Sequence, residues 1–577
     1  MTKKIDKITT AIAGLLLVVN VQADITTTKV NNVDALLNYY KQDLDSLTKD
    51  SDAEINKNVT EEFNGFEFKR LEQKESERAN ELAAPYLGKK IVIGRLIAEL
   101  ERDFQDHGNP VVFILTRIDK KLILTATKVN FGHVRVNNTS NLSTRFLQDT
   151  LANGISEGKP LNRPQLEHNS SVLNEVPGVI NQYGMKPGSK PGETDLSVTT
   201  TDAPWYNGSM SVDNSSQNVL GMYSGRGNLS LVNLLGRGDV FKVYGLGTEN
   251  SYMIGGDVSV LLTPSGLRAG ASYTRFAYDY NTNIESSNTT HLITANNQYT
   301  GVSTDIGGYL TYPLTRSEYY RQSLSLNYDH VEMSSDAFID QTATPLMGGM
   351  VTASNALFNL TNYTIDKASL GTFGVTSLPL EIVSSYQVAV VGGNATENIA
   401  NVAEINALGV KSMGAFGKFT GTGTLSKSVN IIDQLFHVSL SGSVQAAVKN
   451  LPGTEKAYLG GMYQMKAWSA QAMAADHMAY GQFQIDKEII QHLTIGPFVE
   501  LAYAQQNVNA YQGTVGEVGQ NNNFMGDVGL NINYVAYKTL TFTGNVAHKI
   551  TGDPTLYDTV IQDDSYIRGW IGVSMGF

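Results

Sequence analysis

The stretch LNEVPGVINQYGMKPGSKPGETDL, Leu173–Leu196, divides the chain into two kinds of sequence. Before it, short amphipathic helical patterns alternate with short β-type segments, whereas β-type sequence continues after it to Phe577. Within the stretch, Pro177 and Gly178 end a helix, because proline is disfavoured in helix interiors and glycine favours helix ends. The residues that follow predict a β-hairpin, whose two strands flank a region of Pro-Gly turns.

The composition bounds the kind of protein. A chain of 577 residues exceeds one small domain. Only 17% of the residues are charged, while the 54 Gly and 28 Tyr are typical of antiparallel strands with tight turns. The formal charge is −12, and removal of the basic N-terminal segment leaves about −14, which argues against a nucleic-acid partner. Because the chain has no Cys, thiol catalysis, disulfides and Cys-ligated zinc are excluded.

Residues 1–23 have the pattern of a secretory signal peptide. Lys3, Lys4 and Lys7 precede the largely apolar run Ile8–Val19, and small residues follow at Val21–Ala23. The alternative is a short membrane anchor, but the run is shorter than the roughly 20 residues that a transmembrane helix needs. A secreted chain of this kind is soluble, periplasmic or a membrane β-barrel.

Residues 24–61 predict an amphipathic helix followed by a polar linker. Apolar residues recur at helical spacing and include Leu37, Tyr40 and Leu44. Ser46–Asn58 is polar and charged without a core pattern, which is typical of a flexible connection. The alternative is a terminal helix that packs on a neighbouring element.

Residues 62–129 and 130–201 repeat one β-α-α-β-β plan. In the first copy, apolar residues form a stripe on a helix over Ile93–Phe104, and two β-rich segments follow. The strand after the second helix is Val111–Ile118 in the first copy and Val179–Lys186 in the second. The repetition predicts two small α+β domains in tandem.

Residues 202–577 would provide roughly 23 residues for each of 16 membrane strands and its connection. Alternation is clearest at the end of the chain, where one face of the last strand carries Ile567, Ile571, Val573, Met575 and Phe577. Such alternation suits one face toward lipid and one toward a polar lumen. The sequence therefore predicts an all-β membrane domain.

These segments resemble the two-partner secretion transporters of the Omp85 superfamily. The end of the second periplasmic domain in that family is matched by Leu173, Asn174, Pro177, Gly178, Pro187, Gly188, Gly192, Thr194, Asp195 and Leu196. Further matches are Asp213-Asn214, Gly221, Asn233–Asp239 and the PLTRS turn within Gly307–Ser317. The resemblance implies a 16-stranded antiparallel transmembrane β-barrel (202–577), two periplasmic α+β POTRA domains (62–129 and 130–201) and an N-terminal plug helix with its linker (24–61).

The resemblance also implies a function. POTRA domains would capture an unfolded partner exoprotein, and the barrel would secrete it across the outer membrane without ATP or a cofactor. A haemolysin, an adhesin and a contact-dependent inhibition toxin are all compatible clients. Phe577 resembles the signal read by the barrel assembly machinery, and we expect a monomer surrounded by outer-membrane lipid. The alternatives are an outer-membrane assembly factor and a passive porin.

Capture would use the outer strand of each POTRA sheet, because an outer strand has unpaired backbone groups that accept an extended peptide. The alternative is that a neighbouring domain merely covers this edge. The candidate residues on these strands are Val111, Phe113, Leu115, Ile180 and Tyr183.

No enzyme constellation is present in the sequence. The nine His residues lack HxxxH and HExxH spacing, and no GxSxG or phosphate-binding loop occurs. We therefore expect a protein that is not an enzyme and has no metal site.

A pore loop is the most informative candidate site. In the family, a long extracellular loop returns into the barrel, and its tip motif follows Gly-Gly. The matching residues are Gly460, Gly461, Tyr463, Lys466 and Trp468. Lysine replaces the family's arginine, and lysine makes no bidentate fork with a carboxylate.

The resemblance implies a carboxylate partner for Lys466 on the strand Pro497–Gln505. The family's Asp position is Ala502 here, and Glu500 shares its face of the strand. We therefore expect a Lys466–Glu500 pair, with Asp476 as the second candidate partner and a solvated lysine as the alternative. In a wet lumen such a pair would contribute only about 0–1 kcal/mol.

Overall fold

The computed structural model describes residues 60–106, 111–189, 193–287, 291–317, 320–345, 351–378, 382–397, 411–510, 521–537, 539–552 and 565–577. The predicted signal peptide and plug helix, with Leu37, Tyr40 and Leu44, lie outside these residues. Within the described ranges, no helix has both the length and the apolar character needed to cross a membrane.

The first unit is a three-stranded sheet covered by two helices. Its core forms where the apolar stripe of the second helix, including Leu96 and Leu100, packs on the sheet. The sheet order is β2-β5-β4, and β1 pairs separately with β3. Its elements are β1 Thr60–Glu62, β2 Gly65–Lys69, α1 Gln73–Ala83, a 3₁₀ turn Ala84–Tyr86, β3 Lys90–Val92, α2 Ile93–Asp106, β4 Val111–Ile118 and β5 Lys121–Lys128.

The second unit repeats this plan with sheet order β6-β8-β7. Each of its two helices is capped at its N-terminus by a side chain. Ser143 accepts from the Phe146 N–H at the first helix, and Asn162 accepts from the Gln165 N–H at the second. Its elements are β6 Asn130–Asn138, α3 Thr144–Leu151, α4 Arg163–Asn174, β7 Val179–Pro187 and β8 Glu193–Asp202.

The two units follow the predicted plan, with small differences at their boundaries. The first strand begins at Thr60, so the expected start at residue 62 falls inside β1. The last strand of the second unit ends at Asp202, one residue beyond the expected end. Strands β1 and β3 were not predicted, because three residues are too few to show an alternating pattern.

Sixteen antiparallel strands close into one barrel, as predicted. The last strand, β26, pairs with the first, β9, over five register positions, and Phe577 and Gly208 exchange backbone hydrogen bonds of 3.0 Å at its end. The strands are β9 Tyr206–Asp213, β10 Ser224–Val232, β11 Val240–Gly247, β12 Ser251–Leu261, β13 Arg268–Ser287, β14 His291–Arg316, β15 Tyr320–Pro345, β16 Val351–Leu378, β17 Ile382–Glu397, β18 Gly414–Ile431, β19 Gln434–Ala447, β22 His477–Ile490, β23 Leu493–Gln505, β24 Asn522–Tyr537, β25 Leu540–Thr551 and β26 Ile567–Gly576.

The faces of the barrel wall alternate in polarity. On β24, Phe524, Leu530 and Ile532 are exposed outward, whereas Asn523 and Asp527 are buried toward the lumen. An apolar outer face and a polar inner face are the pattern of a barrel in lipid. We call the end of the barrel next to the two N-terminal units the proximal rim and the opposite end the distal rim.

The stretch that divides the sequence forms the joint between the second unit and the proximal rim. Arg316, in the PLTRS turn between β14 and β15, donates from Nε to Glu175 at the end of α4 at 2.8 Å. Gly178 has φ +80°, and a Cβ there would lie 2.8 Å from the Cβ of Asn233 in the β10–β11 turn. Glycine is therefore required at this close approach. Three segments that carry the sequence resemblance thus contact one another at the joint.

Candidate functional sites

Residues 448–476, between β19 and β22, turn back from the distal rim and lie against the inner wall. This inward loop contains a 3₁₀ turn, Gly453–Glu455, and a hairpin of β20 Ala457–Leu459 with β21 Met473–Ala475. Met465 and Trp468 at its tip are fully buried against residues of the barrel wall. The loop therefore occupies part of the lumen, as the resemblance implied.

The Gly-Gly pair shapes the entry to the tip. Gly460 has φ +104° and Gly461 has φ +118°, both in the region that L side chains rarely adopt. A Cβ on Gly460 would lie only 2.1 Å from the Ser469 carbonyl oxygen on the returning strand of the loop. Glycine is needed because the two arms of the loop approach this closely.

Lys466 and Glu500 are in contact. The Lys466 ammonium lies 2.5 Å from Glu500 Oε1, and the Lys466 backbone N–H donates to Oε2 at 2.8 Å. The hydroxyl of Tyr480 also donates to Oε1, at 2.6 Å. Lys466 is 5% exposed and Glu500 is 0% exposed. The expectation of a wet, solvent-exposed pair is therefore wrong, and loss of either buried partner alone would cost about 3–5 kcal/mol.

Asp527 and Lys549 complete this loop-tip site, and neither was predicted from the sequence. Asp527 stands beside Glu500 in the register of β23 with β24, and it accepts from the Ala467 N–H at 2.9 Å. Lys549 is the next neighbour on β25, and its ammonium lies 4.5 Å from the centre of the Trp468 ring. The site thus combines two lysines with two carboxyl groups. The sequence did carry a signal for them, because alternation along β24 and β25 places both charged side chains on the lumen-facing side of their strands.

Two further contacts fix the tip. Trp570 of β26 donates from Nε1 to the Lys466 carbonyl oxygen at 2.7 Å. The Lys466 ammonium also lies 4.4 Å from the centre of the Phe498 ring, a cation–π distance. Tyr463, a predicted tip residue, is 57% exposed and is not brought to the loop-tip site.

Asp476 does not bind Lys466. It lies 3.0 Å from the ammonium of Lys456 and accepts from the backbone N–H groups of Leu451 and Val508 at 3.1 and 3.0 Å. Asp476 therefore holds the base of the inward loop, and its expected role as the second partner of Lys466 is wrong.

A second anchor lies at Glu455, which sequence analysis did not single out. Its carboxylate is 2.9 Å from the ammonium of Lys367 on β16 and 3.0 Å from that of Lys418 on β18. The sequence signal that could have indicated this anchor is the presence of Lys367 and Lys418 at lumen-facing positions of their strands. Within the described residues, no group of three or more His, Cys, Asp or Glu side chains could hold a metal ion.

The two predicted capture strands are outer strands. In the described part of the chain, β4 pairs only with β5, and β7 pairs only with β8. The side chains of Val111 and Phe113 are buried in the core of the first unit, and Leu115 is half-buried. These residues therefore present backbone rather than side chains at the edge.

The Phe113 backbone shows which residues face the open edge. Its N–H donates to Glu101 Oε1 on α2 at 3.3 Å, so it points away from β5. Because backbone direction alternates along a strand, Phe113 and Leu115 direct their N–H groups outward and Ile114 directs its own toward β5. On β7, Ile180 is exposed, whereas Tyr183 donates to the Ser170 carbonyl oxygen at 3.1 Å and packs on its own unit.

A closed 16-stranded barrel, two α+β units at its proximal rim and a loop fastened inside the lumen define an outer-membrane transporter of the Omp85 superfamily. The model of the haemolysin secretion/activation proteins ShlB/FhaC/HecB matches residues 192–519. That span is more than half of the chain, so the chain belongs to this family. It is a two-partner secretion transporter that secretes a partner protein through an outer-membrane barrel, with its N-terminal units in the periplasm. Family members are transporters and secretion channels.

Known proteins support this placement. The chain is 22% identical over 410 residues to the heme/hemopexin transporter protein HuxB of Haemophilus influenzae, which covers 69% of this chain and 67% of that protein. The structure of CdiB from Escherichia coli is similar with a TM-score of 0.64 and 15% identity, over 94% of this chain and 98% of that one. CdiB from Acinetobacter baumannii gives a TM-score of 0.61 and 14% identity, over 94% and 97%. At these identities the two structures show the fold alone.

Proposed function

We propose that this transporter captures an unfolded, β-prone exoprotein at the outer strands β4 and β7 and passes it through the lumen as an extended chain. The observation that carries the proposal is that each strand has one pairing neighbour in the described structure. The open side of such a strand offers N–H and C=O groups to an added strand. The two POTRA domains would span residues 62–129 and 130–201, with β1 added to the first.

The inward loop would be released for transport. Besides Asp476 at its base, the loop is held to strands of the barrel wall at Glu455 and at Lys466, and it occupies part of the lumen. Folding of the exoprotein outside the cell would drive export without ATP, because each strand buried outside makes return less favourable. Haemolysins, adhesins and contact-dependent inhibition toxins are the proposed clients. Because one relative is named a heme/hemopexin transporter protein, an exoprotein that handles heme or hemopexin is a further proposed client.

Other parts of the proposal concern assembly. Phe577, half-exposed at the proximal rim, would be read by the barrel assembly machinery, and the apolar outer face would contact lipid. Closure pairs both edges of each of the 16 strands, which supports a monomer. Residues 24–61 would form the plug helix and linker, outside the described residues.

A pair of adjacent proline substitutions tests capture. Phe113→Pro removes an outward N–H from β4, whereas Ile114→Pro removes an N–H that pairs with β5. The partner is the secreted protein that disappears from the medium when the gene is deleted. We expect Phe113→Pro to weaken binding of the denatured partner to the purified transporter. Because the variant also removes a buried aromatic ring, binding is compared only where hydrogen exchange shows that β4 still pairs with β5.

Ile114→Pro serves as the matched variant, because it should open the β4–β5 pairing instead. If Phe113→Pro binds the partner as tightly as the wild type does, the proposed addition of a client strand to β4 is wrong. Secretion through the barrel would then use another capture surface.

A further inference from the structure

A line of polar side chains runs down the inner wall below the loop-tip site. On β22 it begins at Tyr480 and continues through Gln482, Gln484 and Asp486. Gln482 Nε2 donates to Gln484 Oε1 at 2.7 Å, and Gln484 Nε2 donates to Asp486 at 2.7 and 2.8 Å. Asn531 of β24 joins from the side, donating to Gln484 Oε1 at 2.7 Å. We call these five residues the polar track.

The track connects the proximal rim to the loop-tip site. At its lower end, Asp486 lines a cleft of about 490 Å³ at the proximal rim, together with His437 and Thr494. At its upper end, Tyr480 donates to Glu500, the partner of Lys466. A chain that enters from the periplasm would therefore meet the track before it meets the tip of the inward loop.

The spacing of the track equals the repeat of an extended polypeptide. Its members on β22 are two residues apart, which is about 6.8 Å along an antiparallel strand. An extended client chain repeats its outward N–H and C=O groups at the same interval. Gln482 and Gln484 each have a second amide proton that can be donated to a client C=O, because an NH₂ group has two donors. The Gln484 oxygen already accepts from Gln482 and Asn531, so the acceptor for a client N–H is the Gln482 oxygen.

One acceptor of the track is incompletely satisfied by the wall. The Tyr480 hydroxyl has a single proton, and it faces Glu500 Oε1 at 2.6 Å and Gln482 Oε1 at 3.2 Å. The shorter contact to the carboxylate takes the proton, since hydrogen bonds to charged acceptors are stronger. The Gln482 oxygen can then accept from a client N–H without loss of a wall hydrogen bond.

We propose that the polar track binds the backbone of the extended client during transit. The inference rests on the proposed function and names a binding surface for the same chain inside the lumen. The occupant is an uncharged, extended stretch of polypeptide, because three of the five track residues are amides and only Asp486 is ionic. A client bound at Gln482 would also affect the Tyr480 hydroxyl, which contacts Gln482. Tyr480 in turn donates to Glu500, the carboxylate that holds Lys466.

The test uses single-channel recording on the full-length transporter in planar bilayers. The probe is a synthetic unfolded peptide rich in Gly, Ser and Thr, of about 30 residues so that its extended length of about 100 Å exceeds the barrel height. A second peptide of equal length carries proline at every other position and so lacks half of the N–H donors. Both are added on the periplasmic side, and the dwell time of each blockade is measured.

Gln482→Leu with Gln484→Leu should shorten the dwell time of the first peptide about fivefold or more, as loss of one or two net hydrogen bonds implies. The proline-containing peptide should change little between these channels. Asn327→Leu is the matched control, since Asn327 is a half-buried amide on β15 that donates to Ser369 Oγ outside the track. Gln482→Met alone is the milder variant if the double variant does not assemble.

Equal dwell times in the wild type and the track variants would overturn the proposal, as would an equal loss in Asn327→Leu. Partner secretion by the wild type is measured separately. If the wild type secretes its partner while the track substitutions leave the dwell times unchanged, the proposed role of the polar track is wrong and the transport function stands.

Discussion

Arg316 and Glu175 join the two halves of the molecule. Arg316 Nε lies 2.8 and 3.0 Å from the two carboxylate oxygens of Glu175, and its other nitrogens donate to the Gln322 carbonyl at 2.6 Å and to Ser323 Oγ at 2.9 Å. Both residues belong to segments singled out in the sequence, LNEVPG and PLTRS. The motif residues thus determine how the second unit is attached to the barrel.

Loss of this pair should loosen the joint without unfolding the barrel. In Arg316→Gln, Glu175 loses a charge-assisted bond of about 1.5–3 kcal/mol. We expect amide exchange at the end of α4 and in the β14–β15 turn to rise by about tenfold or more, in keeping with that loss. Arg321→Gln is the control, because Arg321 lies 3.8 Å from Glu175. Equal exchange in the two variants would contradict the assignment.

Asp195 should make the second unit sensitive to acid. Burial alone would raise the pKa of Asp195, but hydrogen bonds from the His133 N–H at 2.8 Å and Arg135 Nε at 2.6 Å outweigh it and lower the pKa. A carboxylate with a lowered folded pKa stabilises the fold above its unfolded pKa of about 3.9 and loses this contribution as the pH falls through the folded value.

The measurement is amide exchange of β6 and β8 in the full chain, corrected for intrinsic rates, between pH 6 and pH 3. Protection should fall toward the acid end in the wild type. Asp195→Asn should reduce protection at pH 6 by about 2 kcal/mol, since a buried charged acceptor is lost. Asp149→Asn, at a more exposed pair with Arg145, is the control. An Asp195→Asn protein as protected as the wild type would refute this role.

Glu101 should restrain client capture. Its carboxylate accepts the outward N–H of Phe113, so a client strand must displace it to pair with β4. Glu101→Ala should tighten binding of the denatured partner by about fivefold, equal to about one net hydrogen bond. Glu101→Gln keeps an uncharged acceptor for the Phe113 N–H, so its affinity for the partner should lie between those of the wild type and Glu101→Ala. Weaker binding by Glu101→Ala would show that Glu101 contacts the client instead.

Deletion of Asp24–Asn58 tests the expected plug. If the amphipathic segment of residues 33–47 occupies the pore, the truncated transporter should conduct more strongly in planar bilayers. The measurement is single-channel conductance at fixed salt for the full and the truncated chain. Unchanged conductance would assign these residues another place.

Alternation and turn residues were sufficient to predict the barrel, because each half-buried strand repeats its pattern locally. The two N-terminal units were predictable for the same reason, from the helical stripe ending at Phe104 and the VPG stop after α4. The strands β1 and β3 were not predictable, because their pairing depends on tertiary contact.

The sites depended on register, which the sequence does not encode locally. The alternation of faces along β23 was enough to place Glu500 in the lumen. Only the pairing of β23 with β24, and of β24 with β25, brings Asp527 and Lys549 beside it. Glu455 meets Lys367 across almost ninety residues of sequence. Burial of Lys466 was missed because packing around Trp468 excludes solvent from the site.

The Lys466–Glu500 pair should control export. The test measures the amount of partner protein in the medium for the wild type, Lys466→Glu, Glu500→Lys and the double exchange, at equal outer-membrane levels. Lys466→Glu places a third carboxylate beside Glu500 and Asp527 and should lower secretion about tenfold or more, given the cost of an unpaired buried charge. The exchange should restore only part, because Tyr480 and the Lys466 N–H cannot donate to a lysine. If the double exchange secretes no more partner protein than the worse single variant, the Lys466–Glu500 pair does not control export.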